Sequence, residues 1–252
     1  MAVWMQFAIV CALVGLGGFV DAIAGGGGLI TLPAYLLVGI PPHLALGTNK
    51  MSSICGSAAS TARFAKNGFI SLKKVIWYIP AALAGSAIGA NLALLIDEDL
   101  IRKLMVAALP VIAFLVLRDK NLGNDAEAGT VPEKTVFRIA LAGAFFIGMY
   151  DGFYGPGTGT FLLLIFTGIA KMTLRESAGT TKAINFSSNA AALVTFLVNG
   201  KIWFALGLTA GVFSIIGNYL GAGLVMHNGQ KIVRPLVLTV LALLFIKVLT
   251  GN

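Results

Sequence analysis

Apolar residues run along this chain in long blocks rather than in the one-faced pattern of a soluble helix or the alternation of a strand. Four blocks, 74–96, 138–154, 203–224 and 235–250, are nearly uniform. Six more, 4–20, 28–40, 48–65, 103–117, 158–170 and 177–198, mix apolar residues with glycine and small polar groups. A helix needs about 20 mostly apolar residues to cross the hydrocarbon of a bilayer. The blocks therefore predict an all-α integral membrane protein, a polytopic helical bundle. The long hydrophilic stretch from Arg118 to Glu133 divides the chain. The expected organisation is a first transmembrane repeat over 1–117, a polar cytoplasmic linker over 118–137 and a second repeat over 138–252.

The two parts resemble each other residue by residue. GFVDAIAGGG at 18–27 aligns with GMYDGFYGPG at 148–157, an offset of 130. ALGTNKMSS at 45–53 aligns with SAGTTKAIN at 177–185, an offset of 132 that also pairs Asn67-Gly68 with Asn199-Gly200. The same offset pairs Gly85, Gly89 and Ala90 with Gly217, Gly221 and Ala222, and Arg102 with Arg234. Internal repeats recur in transporters, with the substrate site near mid-membrane at the repeat interface.

Basic residues orient the repeats. Arg63, Lys66, Lys73 and Lys74 crowd one loop of the first half, whose counterpart carries only Lys201. One loop earlier the bias reverses, with Lys171 and Arg175 in the second half and no counterpart in the first. Under the positive-inside rule this antisymmetry predicts inverted halves. Loop 63–74 and the linker then lie in the cytoplasm and both chain ends outside it. Residues 4–40 and 138–170 must each enter and return on one side, as a Gly-rich broken or re-entrant helical hairpin. The 13 residues from 28 to 40 would span only about 20 Å as a helix, short of a crossing.

Composition sharpens the class. The chain is 58% hydrophobic with a net charge of +8. Its basic residues sit between apolar blocks with no interleaved aromatics, which argues for bilayer orientation and against nucleic acid. Cys11 and Cys55 are far apart, and His43 and His227 have no neighbouring ligands, so no metal or cofactor is expected. Met1 to Gln6 lacks Lys and Arg, so the first block reads as a retained membrane segment rather than a leader. No HExxH, GxSxG or P-loop is present, and GPGTGTF lacks the βαβ context of a dinucleotide fingerprint; an enzyme is not expected.

Of ten acidic residues, Asp21 and Asp151 alone fall inside apolar blocks, and they are repeat equivalents. A carboxylate in the membrane is costly and marks a functional site by default; the competing role is to accept hydrogen bonds from amides of its own hairpin tip. Gly25, Gly26 and Gly27 in one tip, and Gly155, Gly157 and Thr158 in the other, either form an anion-attracting nest of amides or allow close helix packing. Lys50 and Lys182 head stripes of small polar residues. Ser53 and Ser57 share a helix face, as do their equivalents Asn185 and Asn189. A lysine there suits an anionic ligand or snorkels to the interface. A proton-coupling carboxylate is expected at Asp151 before Asp21, because Tyr150, Tyr154, Thr158 and Thr160 surround the second tip in sequence.

These motifs resemble those of the TauE/SafE family of bacterial membrane proteins. GFVDAIAGGGGLITLPAYLLVGIPPHLALGTNKMSSICGS, NGFI and GSAIGA match its first half. GMYDGFYGPGTGTFLLLIF and ESAGTTKAINFSSNAAAL match its second. The resemblance implies an inner-membrane secondary transporter of a small anion such as sulfite or a sulfonate, with a proton or sodium as coupling ion and a homodimer left open. It points to Asp21, Gly25, Asn49, Lys50, Asp151, Gly155, Gly157, Thr180 and Lys182 as functional positions. A channel-like pore and a non-transporting membrane scaffold remain the alternatives.

Overall fold

The computed structural model describes residues 1–100, Lys103 and 128–250, with side chains described as far as His227. Most of the expected span 103–117, Arg102 and linker residues 118–127 lie outside the described residues; of the rest of the expected linker, 128–137, the last five residues are already helical, in a helix that begins at Glu133 rather than at 138.

Eight α-helices and no strand occur among the described residues. They are α1 (Val3–Ala24), α2 (Gly28–Leu37), α3 (Pro42–Lys66), α4 (Leu72–Leu95), α5 (Glu133–Phe153), α6 (Thr158–Leu164, continued by a π-helical turn, Ile165–Ile169), α7 (Leu174–Val198) and α8 (Phe204–Thr250). The expected spans 203–224 and 235–250 lie in the single helix α8. The polar residues between them interrupt the hydrophobic pattern but not the backbone hydrogen bonding that a helix needs. α1, α4, α5 and the Phe204–His227 part of α8 are long and apolar enough to cross a membrane. The protein is a polytopic helical membrane protein.

The breaks follow from local chemistry. α1 ends where Gly25 takes a left-handed φ of 71° and its N–H returns to the Asp21 carbonyl. α2 restarts three residues later and has only 10 residues, about 15 Å of helix and half of a crossing. α3 opens on Pro42, whose missing N–H costs nothing in a first turn. α7 opens on Thr173, whose hydroxyl accepts from the Glu176 amide at 3.1 Å, an N-cap. Repeat-equivalent helices share their limits: α3 and α7 both have 25 residues, and both starts and both ends differ by 132.

α3 and α7, rich in small polar residues, pack against each other at the centre. Around them the halves interlock, with α1 against α8 and α4 against α5. Both crossings use the paired glycines. A Cβ at Gly85 or Gly89 would lie 2.1 Å from the Phe145 carbonyl oxygen or 1.8 Å from that of Met149. A Cβ at Gly217 or Gly221 would meet the carbonyls of Gly15 and Phe19 at 2.0 and 2.4 Å. Small residues let membrane helices approach backbone to backbone. Large apolar side chains such as Ile76, Leu92, Leu208 and Ile216 stay exposed on the outer faces of α4 and α8, where hydrocarbon would cover them.

The loops gather at two ends. At one, Arg175 donates to the Asn67 carbonyl at 2.7 Å, the Gly129 amide to that of Lys171, and Lys74 bridges Glu133 and Glu176 at 3.3 and 3.2 Å. At the other, Gln6 donates to the Val38 carbonyl, Phe7 stacks edge-on against Trp203, the Trp203 amide donates to Thr48, and His43 meets Glu98 at 3.2 Å. Single cysteines at Asn67 and Lys134 should therefore react with a membrane-impermeant maleimide from one side of the membrane, and a cysteine at Asn199 from the other. Asn67 and Asn199 reacting from the same side would refute this arrangement.

Candidate functional site

The two hairpin tips meet in the interior. The backbones of Gly25 and Gly159 touch: a Cβ on Gly25 would fall 2.2 Å from the Gly159 carbonyl carbon, and one on Gly159 would fall 2.5 Å from the Gly25 Cα. Thr160 ties the tips by donating to the Ala24 carbonyl at 2.8 Å.

Two ion pairs sit at this junction, and they cross between the halves. Lys50 of α3 reaches Asp151 of α5 at 2.9 Å, with side chains 2% and 6% exposed. Lys182 of α7 reaches Asp21 of α1 at 2.6 Å, with side chains 3% and 23% exposed, and also donates to the Asp21 backbone carbonyl. Each lysine lies eight residues into its helix, about 12 Å from the end, which matches the depth of the short return helices. Neither lysine snorkels; both are buried. Neither carboxylate accepts from an amide of its own tip among the described hydrogen bonds, so the tip-capping role does not describe them.

The pairs differ in how firmly the acid is held. Asp151 also accepts from the Thr158 hydroxyl at 3.0 Å and the Ser188 hydroxyl at 2.5 Å. Gly28 and Gly56 occupy the repeat-equivalent positions (158 − 130 and 188 − 132), so Asp21 has no such hydroxyls. Lys182 is its one side-chain donor among the described residues.

A cavity of about 40 Å³ opens beside these pairs. Among the expected positions, Asp21, Gly25, Gly27, Asn49, Lys50 and Ser53 line it from the first half. Asp151, Gly155, Thr158, Asn185 and Asn189 line it from the second. Gly26, Gly157, Thr180 and Lys182 do not, although Lys182 joins through Asp21. Thr180 is buried within the core. Beside it Gly179 takes the Phe69 carbonyl against its bare Cα, as Gly47 takes that of Lys201, so the GT dipeptides seat the loops.

Sequence reasoning missed three polar side chains of the lining, Thr31 of α2 and Ser214 and Asn218 of α8. Asn218 fits between α1 and α3 because Gly18 and Gly56 leave room; their Cβ atoms would meet its Nδ2 at 2.8 and 2.3 Å. The available signal was a Ser and an Asn four apart inside a span otherwise apolar. Thr31 Oγ1 and the Oδ1 atoms of Asn49, Asn185 and Asn218 are all buried without a hydrogen-bond partner, and all four residues line this one cavity. The amides of Gly26, Gly27 and Gly28, at the start of α2, have no backbone acceptor among the described residues. Buried polar groups are normally satisfied, and these four unpaired oxygens converge on one cavity.

Comparison with known proteins identifies the family. The family model for the sulfite exporter TauE/SafE matches residues 10–248. A protein of Sinorhizobium sp named "Probable membrane transporter protein ORF9" is 36% identical over 97% of this chain and 92% of its own length. The Haemophilus influenzae "Probable membrane transporter protein" is 35% identical over 88% of this chain and 86% of its own. Escherichia coli K12 YfcA, carrying the same description, is 33% identical over 93% and 86%. No solved structure matches. The chain belongs to the TauE/SafE sulfite exporter family, and it is a multi-pass transporter of the bacterial inner membrane.

Proposed function

We propose that this protein carries a small sulfur-containing anion, sulfite or an organosulfonate, across the inner membrane, coupled to a proton that binds Asp21. The crossed ion pairs are the observation that carries this reading. Two lysines and two carboxylates sum to zero charge, so the closed cavity offers an anion no surplus cation. An anion gains a lysine only if a carboxylate lets go. Protonation of Asp21 neutralises it and releases Lys182, whose charge, with the free amides of the α2 tip, then balances the anion. Proton and anion are thereby obliged to load together.

Asp21 suits this role better than Asp151, the residue favoured by sequence. It is the more exposed acid and holds its lysine without help, whereas Asp151 is fixed by two hydroxyls as well as Lys50. The cavity is far below the roughly 300 Å³ of an ordinary ligand pocket, so loading requires the tips to part at Gly25 and Gly159. Inverted halves belong to this proposal: equal helix limits, interlocked outer pairs and crossed lysines support a rocking of one half against the other around a central site.

Flux into proteoliposomes tests the reading. Sulfite and sulfonate uptake should saturate and follow an imposed pH gradient. Asp21→Asn keeps an acceptor oxygen but no exchangeable proton, so it should retain anion exchange and lose most pH-driven net flux. An Asp21→Asn protein with unchanged pH dependence would remove the proton from Asp21, sodium-dependent flux would reassign the coupling ion, and non-saturating flux would favour a channel.

A further inference from the structure

We propose that the cleft between α4 and α5, at the linker end of the molecule, binds the headgroup of an anionic phospholipid. The cleft is separate from the central site and has a volume of about 490 Å³, within the roughly 300–1,000 Å³ typical of small-molecule sites. Lys73, Lys74, Lys134 and Arg138 line it, with Glu133 as its acid. Lys74 is committed to Glu133 and Glu176. Lys73, Lys134 and Arg138 are exposed and have no carboxylate partner among the described residues. Counting Glu176, four cations face two carboxylates among the described residues, which leaves the described rim with a surplus of positive charge.

The walls identify the occupant. Trp77, Tyr78 and Phe137 form the apolar side of the cleft. Trp77 is 63% exposed and stands beside the exposed Ile76, and further along α4 Leu83 and Ile88 are exposed as well. A basic rim above an aromatic, lipid-facing stripe is the layout of a phospholipid, headgroup on the cations and acyl chains along α4. A free phosphate would match the rim and leave the apolar wall unused. Basic pockets between membrane helices at the cytoplasmic surface bind anionic headgroups in this way, and the positive-inside rule puts this end in the cytoplasm.

The duplication gives an internal comparison. The positions equivalent to Lys73, Lys74, Lys134 and Arg138 are Ala205, Leu206, Trp4 and Ala8 (205 − 132, 206 − 132, 134 − 130 and 138 − 130). None of these four equivalents, at the crossing of α1 with α8, is charged. The basic cleft is therefore not required by the crossing itself; it has been added at one end of one crossing.

The test uses the full-length protein purified in detergent. Its thermal stability is followed during titration with phosphatidylglycerol or cardiolipin, with phosphatidylcholine, and with inorganic phosphate. The anionic lipids should stabilise it, and phosphatidylcholine and phosphate should not. The combined variant Lys73→Gln/Lys134→Gln/Arg138→Gln should bind the anionic lipids roughly 100-fold more weakly, at about five-fold per cation removed. Lys134→Gln alone, at an exposed first-turn position, should show the single five-fold step and guards against misfolding of the combined variant. Equal protection of wild type and variants by the anionic lipids, or of wild type by phosphatidylcholine, overturns the proposal. Protection by inorganic phosphate matching that by lipid makes the cleft a soluble-anion site and overturns it as well.

Discussion

Replacing Lys50 by Met should cost the protein its fold as well as its transport. A lysine whose one task was to balance substrate charge could be lost with near-normal expression. The structure gives a different expectation, because Lys50 neutralises Asp151 where both side chains are almost fully enclosed. Removing one partner of a buried pair leaves an uncompensated charge and destabilises by about 3–5 kcal/mol, a large share of a typical protein's total stability. Size-exclusion profiles and thermal melts of the purified protein should show little folded Lys50→Met. The double variant Lys50→Met/Asp151→Asn removes both charges. It leaves Asn to accept from Thr158 and Ser188, so folded protein should return while sulfite flux stays absent. Lys182→Met should keep more folded protein than Lys50→Met, since Asp21 is the more exposed acid. A well-folded, transporting Lys50→Met would show that Lys50 neither stabilises the core nor serves the anion.

Gly89→Ala should be at least as damaging, though it introduces nothing but a methyl group. That methyl would sit 1.8 Å from the Met149 carbonyl oxygen, and backbone cannot move aside by changing rotamer. Overpacking costs about 1–3 kcal/mol even where side chains can yield, and here two helices must separate along their whole crossing. Gly221→Ala should fail in the same way against Phe19. Gly26→Ala is the control: its Cβ would come no closer than 3.6 Å to any neighbour, and its φ is ordinary. Melting temperatures and yields of the three variants check this directly. A stable Gly89→Ala would mean that α4 and α5 do not approach as closely as the fold requires.

The glycine result bears on what was legible in the chain. GSAIGA was visible as a repeated motif, but its partner was not, because Gly89 touches Met149, a residue 60 positions away (149 − 89). Periodicity reports which residues share a face of one helix; it is silent about the facing helix. Thr180 illustrates the same limit. It stands in a conspicuous motif and looked like a site residue, yet it is buried outside the cavity, next to a glycine that seats a loop.

What the sequence by itself determined rests on the bilayer as solvent. Backbone groups in hydrocarbon must be satisfied within the segment and charges there are expensive. Apolar blocks therefore had to be helices, the glycine runs had to be breaks, and Asp21, Asp151, Lys50 and Lys182 had to be special. The tertiary structure alone decided how those charges are shared. Equivalent residues in two halves could have paired within each half; instead Lys50 takes Asp151 and Lys182 takes Asp21, because the hairpin of each half lies against the other half's helices. The same interlocking brings Ser214 and Asn218 of α8 to a cavity that Asp21 and Lys50 of the first half also line. The two ion pairs join residues more than 100 positions apart, and their energy depends on distances of a few ångströms that exist only once the helices have packed.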